Sequence, residues 1–115
     1  MFQIETRIMP ADIVASKSQK LGLKPEVKKA AELIAKNFTD HCVEEGKKPA
    51  TIAGVSFFMA IMKVKTEKHI DVEHTWRSIC DVVGIGIQTM KDCYNNALID
   101  EKKLLPGYLQ SQGKR

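Results

Sequence analysis

The sequence has few of the features that mark secreted or membrane proteins. Its three cysteines are an odd number without C-x-x-C spacing, so we expect reduced thiols in an intracellular protein. The chain does not open with a basic segment, an apolar run and a cleavage site, which argues against a secretory signal. The longest apolar stretch, Ile52–Met62, is about half of the ~20 residues that a membrane span needs. No membrane role is predicted.

Charge of neither sign is in large excess. The 115 residues contain 18 Lys and Arg against 14 Asp and Glu, a formal net charge of +4. The pI near 9.0 is compatible with nucleic-acid binding without requiring it. An apolar fraction of 43% and a charged fraction of 28% indicate one folded domain with its own core.

Apolar periodicity predicts five helices separated by short segments rich in glycine, proline and charge. Proline suits the first turn of a helix and glycine its end, so Pro10, Gly22, Pro25 and Gly46 bound the first two. In the second helix apolar side chains recur every three or four residues, and Cys42 falls on that stripe, which predicts a core position for it. The predicted helices are Pro10–Lys20, Pro25–Glu45, Thr51–Met62, Thr75–Val83 and Gln88–Leu98.

The third predicted helix is apolar on nearly every side. A helix of this kind must be buried all round, and neighbouring helices must cover it because it is too short to span a bilayer. The sequence therefore predicts an all-α, five-helix bundle of the cyclin-box type around a buried third helix. The short segment Gly84–Ile87 between the last two helices predicts a helix-turn-helix, with Gly84 in a left-handed cap.

Three segments, spread over Met9–Tyr108, resemble the cyclin repeats of the transcription factor IIB family. The likeness is greater to the second, C-terminal repeat than to the first. The first segment is Met9-Pro10-Ala11-Asp12-Ile13 with Leu21-Gly22-Leu23, Pro25 and Val27; the second is Gly46-Lys47-Lys48-Pro49-Ala50-Thr51-Ile52-Ala53 leading into Phe57-Phe58-Met59-Ala60; the third is Ile79-Cys80-Asp81-Val82-Val83-Gly84-Ile85 with Thr89-Met90-Lys91 and Tyr94.

The resemblance implies DNA binding rather than catalysis. In the family, the second repeat places its fifth helix in the major groove beside the TATA element, on DNA bent by the TATA-box-binding protein, and helps to recruit RNA polymerase II. We therefore expect a nuclear protein with promoter DNA as its partner and with neither cofactor nor metal. Lys47 and Lys48 precede a helix N-terminus, where backbone donors favour phosphate. Carried over by position, the base-facing residues are Gly86, Gln88, Thr89 and Lys91.

Two of these positions depart from the family pattern. A small apolar residue usually stands where this chain has Gln88, and Arg stands where it has Lys91. Gln88 can hydrogen-bond adenine in two places, and Lys91 offers a mobile point charge instead of a planar fork. We therefore expect a preferred base sequence different from the GC-rich sequence typical of the family.

The extent of the resemblance also carries expectations about the domain. The connection Lys63–His74 is longer than is usual in the family. The family's zinc ribbon and first repeat have no counterpart in these residues. We therefore expect residues 1–115 to be a single repeat excised from a longer factor, with frayed ends at about 1–8 and 109–115.

Catalytic and metal-binding interpretations of individual residues are disfavoured. His41 and Cys42 are neighbours on a predicted helix, about 100° apart, so they do not form a nucleophile–base pair. His69 and His74 lack paired cysteines and an H-x-x-x-H spacing, which argues against zinc. We expect Asp71 and Glu73 to cap the fourth helix. We expect Trp76 and Tyr94 to be packing residues in the helix-turn-helix.

Two alternative functions stay open. One is a related initiation factor of the RNA polymerase III system, which shares the repeat, although the Thr89-Met90-Lys91 and Tyr94 positions fit transcription factor IIB better. The other is a cyclin-like module that binds a kinase or a regulatory peptide in a helix groove. That module gives no reason for basic residues at both Lys48 and Lys91.

Overall fold

The computed structural model describes residues 9–44, 46–64 and 71–107, and these residues form helices and connecting turns with no strand among them. The predicted all-α class and its five helices are confirmed. The predicted frayed ends and most of the long connection, residues 65–70, lie outside the described residues. The helices are α1 (Pro10–Lys17), α2 (Pro25–Asp40), α3 (Pro49–Val64), α4 (Val72–Val83), α5 (Ile87–Ala97) and α6 (Glu101–Leu104), with 3-10 turns at Ser18–Leu21 and Leu98–Asp100.

The central position belongs to α3. Every residue from Thr51 to Ala60 is buried, and α3 packs against α1, α2, α4 and α5. The buried hydroxyl of Ser56 donates to the carbonyl of Ile52 at 2.8 Å, so its polar atom is satisfied. The prediction of a third helix enclosed by the others is confirmed. Within the described ranges no helix, α3 included, has the length and apolarity to cross a membrane.

The end of α2 differs from the prediction. The helix ends at Asp40, short of the predicted Glu45, and Cys42 follows in the left-handed region with φ of 54°. The N–H of Val43 then donates to the carbonyl of Phe38 at 2.9 Å, the bond of a Schellman motif, which usually has glycine at the left-handed position. The prediction of a core position for Cys42 was wrong, because the chain turns there: Cys42 is exposed and Val43 is buried instead.

The short helix α6 was not predicted. Leu104 and Leu105 are buried in the core, and Asn37 of α2 donates from Nδ2 to the carbonyl of Leu104 at 2.8 Å. Lys63 near the end of α3 pairs with Glu101 at 3.0 Å. The chain after α5 therefore folds back onto α2 and α3.

Gly54 allows α4 and α5 to approach α3 closely. A methyl group at this position would collide with Sδ of Met90 in α5 and would lie 3.4 Å from side-chain atoms of Ile79 and Val83 in α4. Only a residue without a side chain fits this crossing without movement of Met90. The packing against α3 therefore fixes the orientation of the last two long helices.

Candidate nucleic-acid interface

Helices α4 and α5 form a helix-turn-helix joined by residues 84–86. Gly84 has φ of 77°, and its N–H donates to the carbonyl of Cys80 at 2.8 Å, which caps α4 in the left-handed conformation. Gly86 is extended, with φ of −63° and ψ of 145°, and precedes α5 as its N-cap. The predicted turn and its left-handed cap are confirmed.

The exposed side of α5 carries polar residues. Gly86, Gln88 and Thr89 are exposed, at the start of the helix, while Met90 and Cys93 are buried. Asp92, Asn95 and Asn96 are also exposed on this side, one or two turns along the helix, and they were not among the predicted site residues. A three- and four-residue spacing from Gln88 and Thr89 is the signal that could have found them. We define the outer face of α5 as Gly86, Gln88, Thr89, Asp92, Asn95 and Asn96.

Lys91 lies at the edge of the outer face. Its side chain is 34% exposed, and its Nζ lies 3.3 Å from Oε1 of Glu73 in α4. Glu73 also lies 3.9 Å from Nε of Arg77, so one carboxylate is shared by two cations. The charge of Lys91 is therefore partly neutralised within the helix-turn-helix.

Gln88 and Asp92 are joined on the outer face. Nε2 of Gln88 donates to Oδ1 of Asp92 at 3.0 Å, a spacing of four residues along the helix. Exposed pairs of this kind stabilise a helix by about 0.2–0.5 kcal/mol. Lys91 and Asp92 are the only charged residues of α5, so the helix has no formal net charge. Amides and hydroxyls therefore make up most of the outer face.

The other predicted phosphate-binding residues, Lys47 and Lys48, are exposed immediately before α3. The carbonyl of Lys48 accepts the N–H of Thr51 at 3.0 Å, at the first turn of α3. Burial and the charge of Glu44 raise the pKa of the Cys93 thiol in α5 to about 11, and the charge of Lys47 opposes this. Part of the effect of Glu44 is a hydrogen bond between its side chain and that of Cys93.

An aromatic cluster supports the inner side of α5. The rings of Phe58 and Trp76 stack with centroids 3.9 Å apart, and Tyr94 lies edge-on to both, at 5.1 and 5.7 Å. Burial and the charge of Glu101 raise the pKa of Tyr94, with an opposing effect of Lys63. The prediction that Trp76 and Tyr94 are packing residues is confirmed.

The remaining titratable side chains near the helix-turn-helix have structural positions. Asp71 caps α4, as predicted, since its Oδ1 accepts the N–H of His74 at 3.0 Å. Glu73, the other predicted cap, instead lies within the first turn of α4. Burial, followed by the charge of Asp81, raises the pKa of Cys80. His69 lies outside the described residues. No group of three His, Cys, Asp or Glu side chains in the described part of the chain could hold a metal ion.

A helix-turn-helix docked on a central buried helix defines a cyclin-like repeat. Residues 4–99 of the chain match the family described as "Transcription factor TFIIB repeat". The chain is also 29% identical over 86 residues to "Transcription initiation factor IIB" of Dictyostelium discoideum. That match covers 75% of this chain and 25% of the relative, so the chain spans about a quarter of that protein's length. The chain belongs to the family of transcription factor TFIIB repeats, so the predicted resemblance to the family is confirmed, while the greater likeness to the second repeat stays a prediction.

Proposed function

We propose that this domain is the second, DNA-reading repeat of a general transcription initiation factor. In this proposal it is one module of a longer nuclear protein, and it binds promoter DNA next to the TATA element together with the TATA-box-binding protein. Contacts with RNA polymerase II then belong mainly to other parts of the factor. The observation that carries the proposal is the exposed, polar outer face of α5 in the helix-turn-helix of a TFIIB repeat.

The helix-turn-helix has a geometry suited to the major groove, which admits one α-helix. With α5 in the groove, Gln88 and Thr89 on its first turn face the base edges, and Lys91 reaches them from the edge of the outer face. Gly86 has no side chain, so the backbone before α5 can approach the DNA closely. These contacts involve binding alone and no covalent step.

We infer from the charge distribution that phosphate contacts come from a different element. Since α5 carries no formal net charge, it attracts the phosphate backbone only weakly. Lys47 and Lys48 are exposed immediately before the N-terminus of α3. Backbone donors at a helix N-terminus favour anions as well. In this proposal the two lysines position the domain and α5 specifies the sequence.

Fluorescence anisotropy on a labelled TATA-containing duplex tests the proposal. We expect binding that requires or is strengthened by the TATA-box-binding protein and that weakens with added salt, with a slope of about 0.9 for each phosphate contact. No binding at low salt, with or without the TATA-box-binding protein, would contradict the proposal.

Three lysine variants separate the predicted roles. Lys91→Ala should weaken binding and relax the preference at one base position, whereas Lys48→Ala should weaken binding to all sequences and reduce the salt slope by about one. Lys28→Ala removes another exposed charge, from α2, and is the matched control, with no expected effect. Equal losses for the Lys28 and Lys48 variants would show a general effect of charge and contradict the assignment of Lys48.

A further inference from the structure

The hydrogen bond between Gln88 and Asp92 fixes which way the Gln88 amide is turned. A carboxylate only accepts hydrogen bonds, so the Gln88 atom at 3.0 Å from Asp92 Oδ1 must be the nitrogen. The Gln88 carbonyl oxygen, Oε1, then points away from Asp92. One N–H of the amide is used by Asp92, and the other N–H and Oε1 remain available for a ligand.

The available donor and acceptor match one base. Adenine presents the acceptor N7 and the donor N6 in the major groove, so the second N–H of Gln88 can donate to N7 while Oε1 accepts from N6. Guanine presents two acceptors, N7 and O6, and thymine presents the acceptor O4. For guanine and thymine, Oε1 of Gln88 and the nearby carboxylate of Asp92 face an acceptor, which repels them. Cytosine offers the donor N4 but no acceptor beside it, so it can satisfy Oε1 and not the N–H.

From this geometry we infer that Asp92 is a specificity-determining residue of the outer face. It orients Gln88 to bind adenine, and its own carboxylate rejects guanine at the same place. The inference rests on the proposed function, because it presumes that α5 enters the major groove. It goes further by assigning the base preference to the pair rather than to Gln88 alone.

Within α5, no unpaired cation is available to neutralise Asp92. Lys91 is the only basic residue of α5, and its Nζ lies 3.3 Å from Oε1 of Glu73, on the side facing α4. A cation beside Asp92 would neutralise the carboxylate and lower its selectivity against guanine. Because Lys91 pairs with Glu73 in the free domain, it does not neutralise the carboxylate of Asp92 there.

Selection from a duplex pool with random flanks around a TATA element tests the inference. The full chain and the TATA-box-binding protein are used together, with wild type compared with Asp92→Asn, Gln88→Ala and Glu26→Gln. The wild type should enrich adenine and deplete guanine at one flank position. Gln88→Ala should abolish the adenine preference. Asp92→Asn supplies a donor for N7 or O6, so guanine should rise at that position by about fivefold or more.

The control variant, and the results that contradict the expected ones, show whether the inference alone or also the proposed function fails. Glu26→Gln removes one exposed carboxylate from α2 and should leave the preference unchanged. Asp92→Asn binding all sequences more tightly, with the guanine depletion kept, would show general repulsion and overturn the inference while the proposed function stands. Failure of the wild type to bind any duplex would overturn both. Circular-dichroism melting of each variant confirms that the exposed substitutions leave the fold intact.

Discussion

The ring of Phe58 in α3 stacks on the ring of Trp76 in α4, with centroids 3.9 Å apart and planes 12° from parallel. Tyr94 of α5 is edge-on to both rings. The cluster therefore takes one ring from the central helix and one from each helix of the helix-turn-helix. Since Trp76 is the only tryptophan of the chain, its fluorescence reports directly on this junction.

Trp76→Ala, which removes the ring, should be among the most destabilising substitutions in the domain. Trp76 is 3% exposed, and deletion of such a side chain costs about 3–5 kcal/mol of unfolding free energy. Tyr94→Phe keeps the ring packed and is the matched control, with a cost below about 1.5 kcal/mol. Urea denaturation followed by circular dichroism measures both. Similar losses for the two variants would show that ring packing does not stabilise this junction.

Gly54→Ala should destabilise the domain although alanine favours helix. The new methyl group would collide with Met90, and overpacking of this kind costs about 1–3 kcal/mol. Gly107→Ala, at a position where a methyl group meets nothing within 4 Å, is the control. Thermal unfolding measures the difference. Met90→Ala combined with Gly54→Ala should lose less than the sum of the single losses; simple additivity would contradict the steric explanation.

Cys42→Gly should stabilise the end of α2. A non-glycine residue in the left-handed region costs about 1–2 kcal/mol, and glycine avoids this cost. Because glycine also makes the unfolded chain more flexible, part of this gain in unfolding free energy is lost. Cys42→Ala keeps φ of 54° unfavourable and removes only the thiol, so it serves as the control. Chemical denaturation should rank the glycine variant above the alanine variant. The reverse order would mean that the backbone conformation at residue 42 is not strained.

Alkaline pH should destabilise the domain through Cys93. Its thiol has a pKa of about 11 in the folded state against 9.0 unperturbed, so folding favours the neutral form. The stabilisation is complete below pH 9.0 and is lost as pH rises towards about 11. Cys93→Ala should therefore show a shallower fall of unfolding free energy over this range than wild type.

The exposed Cys42 provides the comparison for this pH effect. Cys42→Ala should keep the slope of the wild type, and Tyr94, whose pKa is also raised, contributes equally to all three proteins. Denaturation midpoints at intervals of half a pH unit are sufficient. Identical slopes for the Cys42 and Cys93 variants would contradict a titration of Cys93.

The helices that were predicted correctly are those whose signal is local. A helix that is apolar on every side, as α3 is, is stable only when it is buried at the centre of the bundle. Gly84 indicates a turn because its left-handed conformation is easily adopted only by glycine. Cys42 carries no such signal, because a thiol is common on apolar stripes and rare in left-handed caps. The short α6 depends on the bond from Asn37 to Leu104, 67 residues apart, which no local pattern contains.

The same distinction applies to the candidate interface. Exposure of Gln88 and Thr89 follows from helical spacing within α5 alone. The pairing of Lys91 with Glu73 joins residues 18 positions apart and depends on the crossing of α4 and α5. The sequence indicates which side chains are exposed but not which partners they meet.

The burial of α3 on every side has a consequence for synthesis on the ribosome. A nascent chain that ends at Val64 contains α1, α2 and α3 but lacks α4 and α5, which cover the other side of α3. Gly54 and its neighbours would then face water as a continuous apolar strip. Such a strip favours self-association, so we expect the nascent domain to be prone to aggregation until α5 has emerged and covers α3.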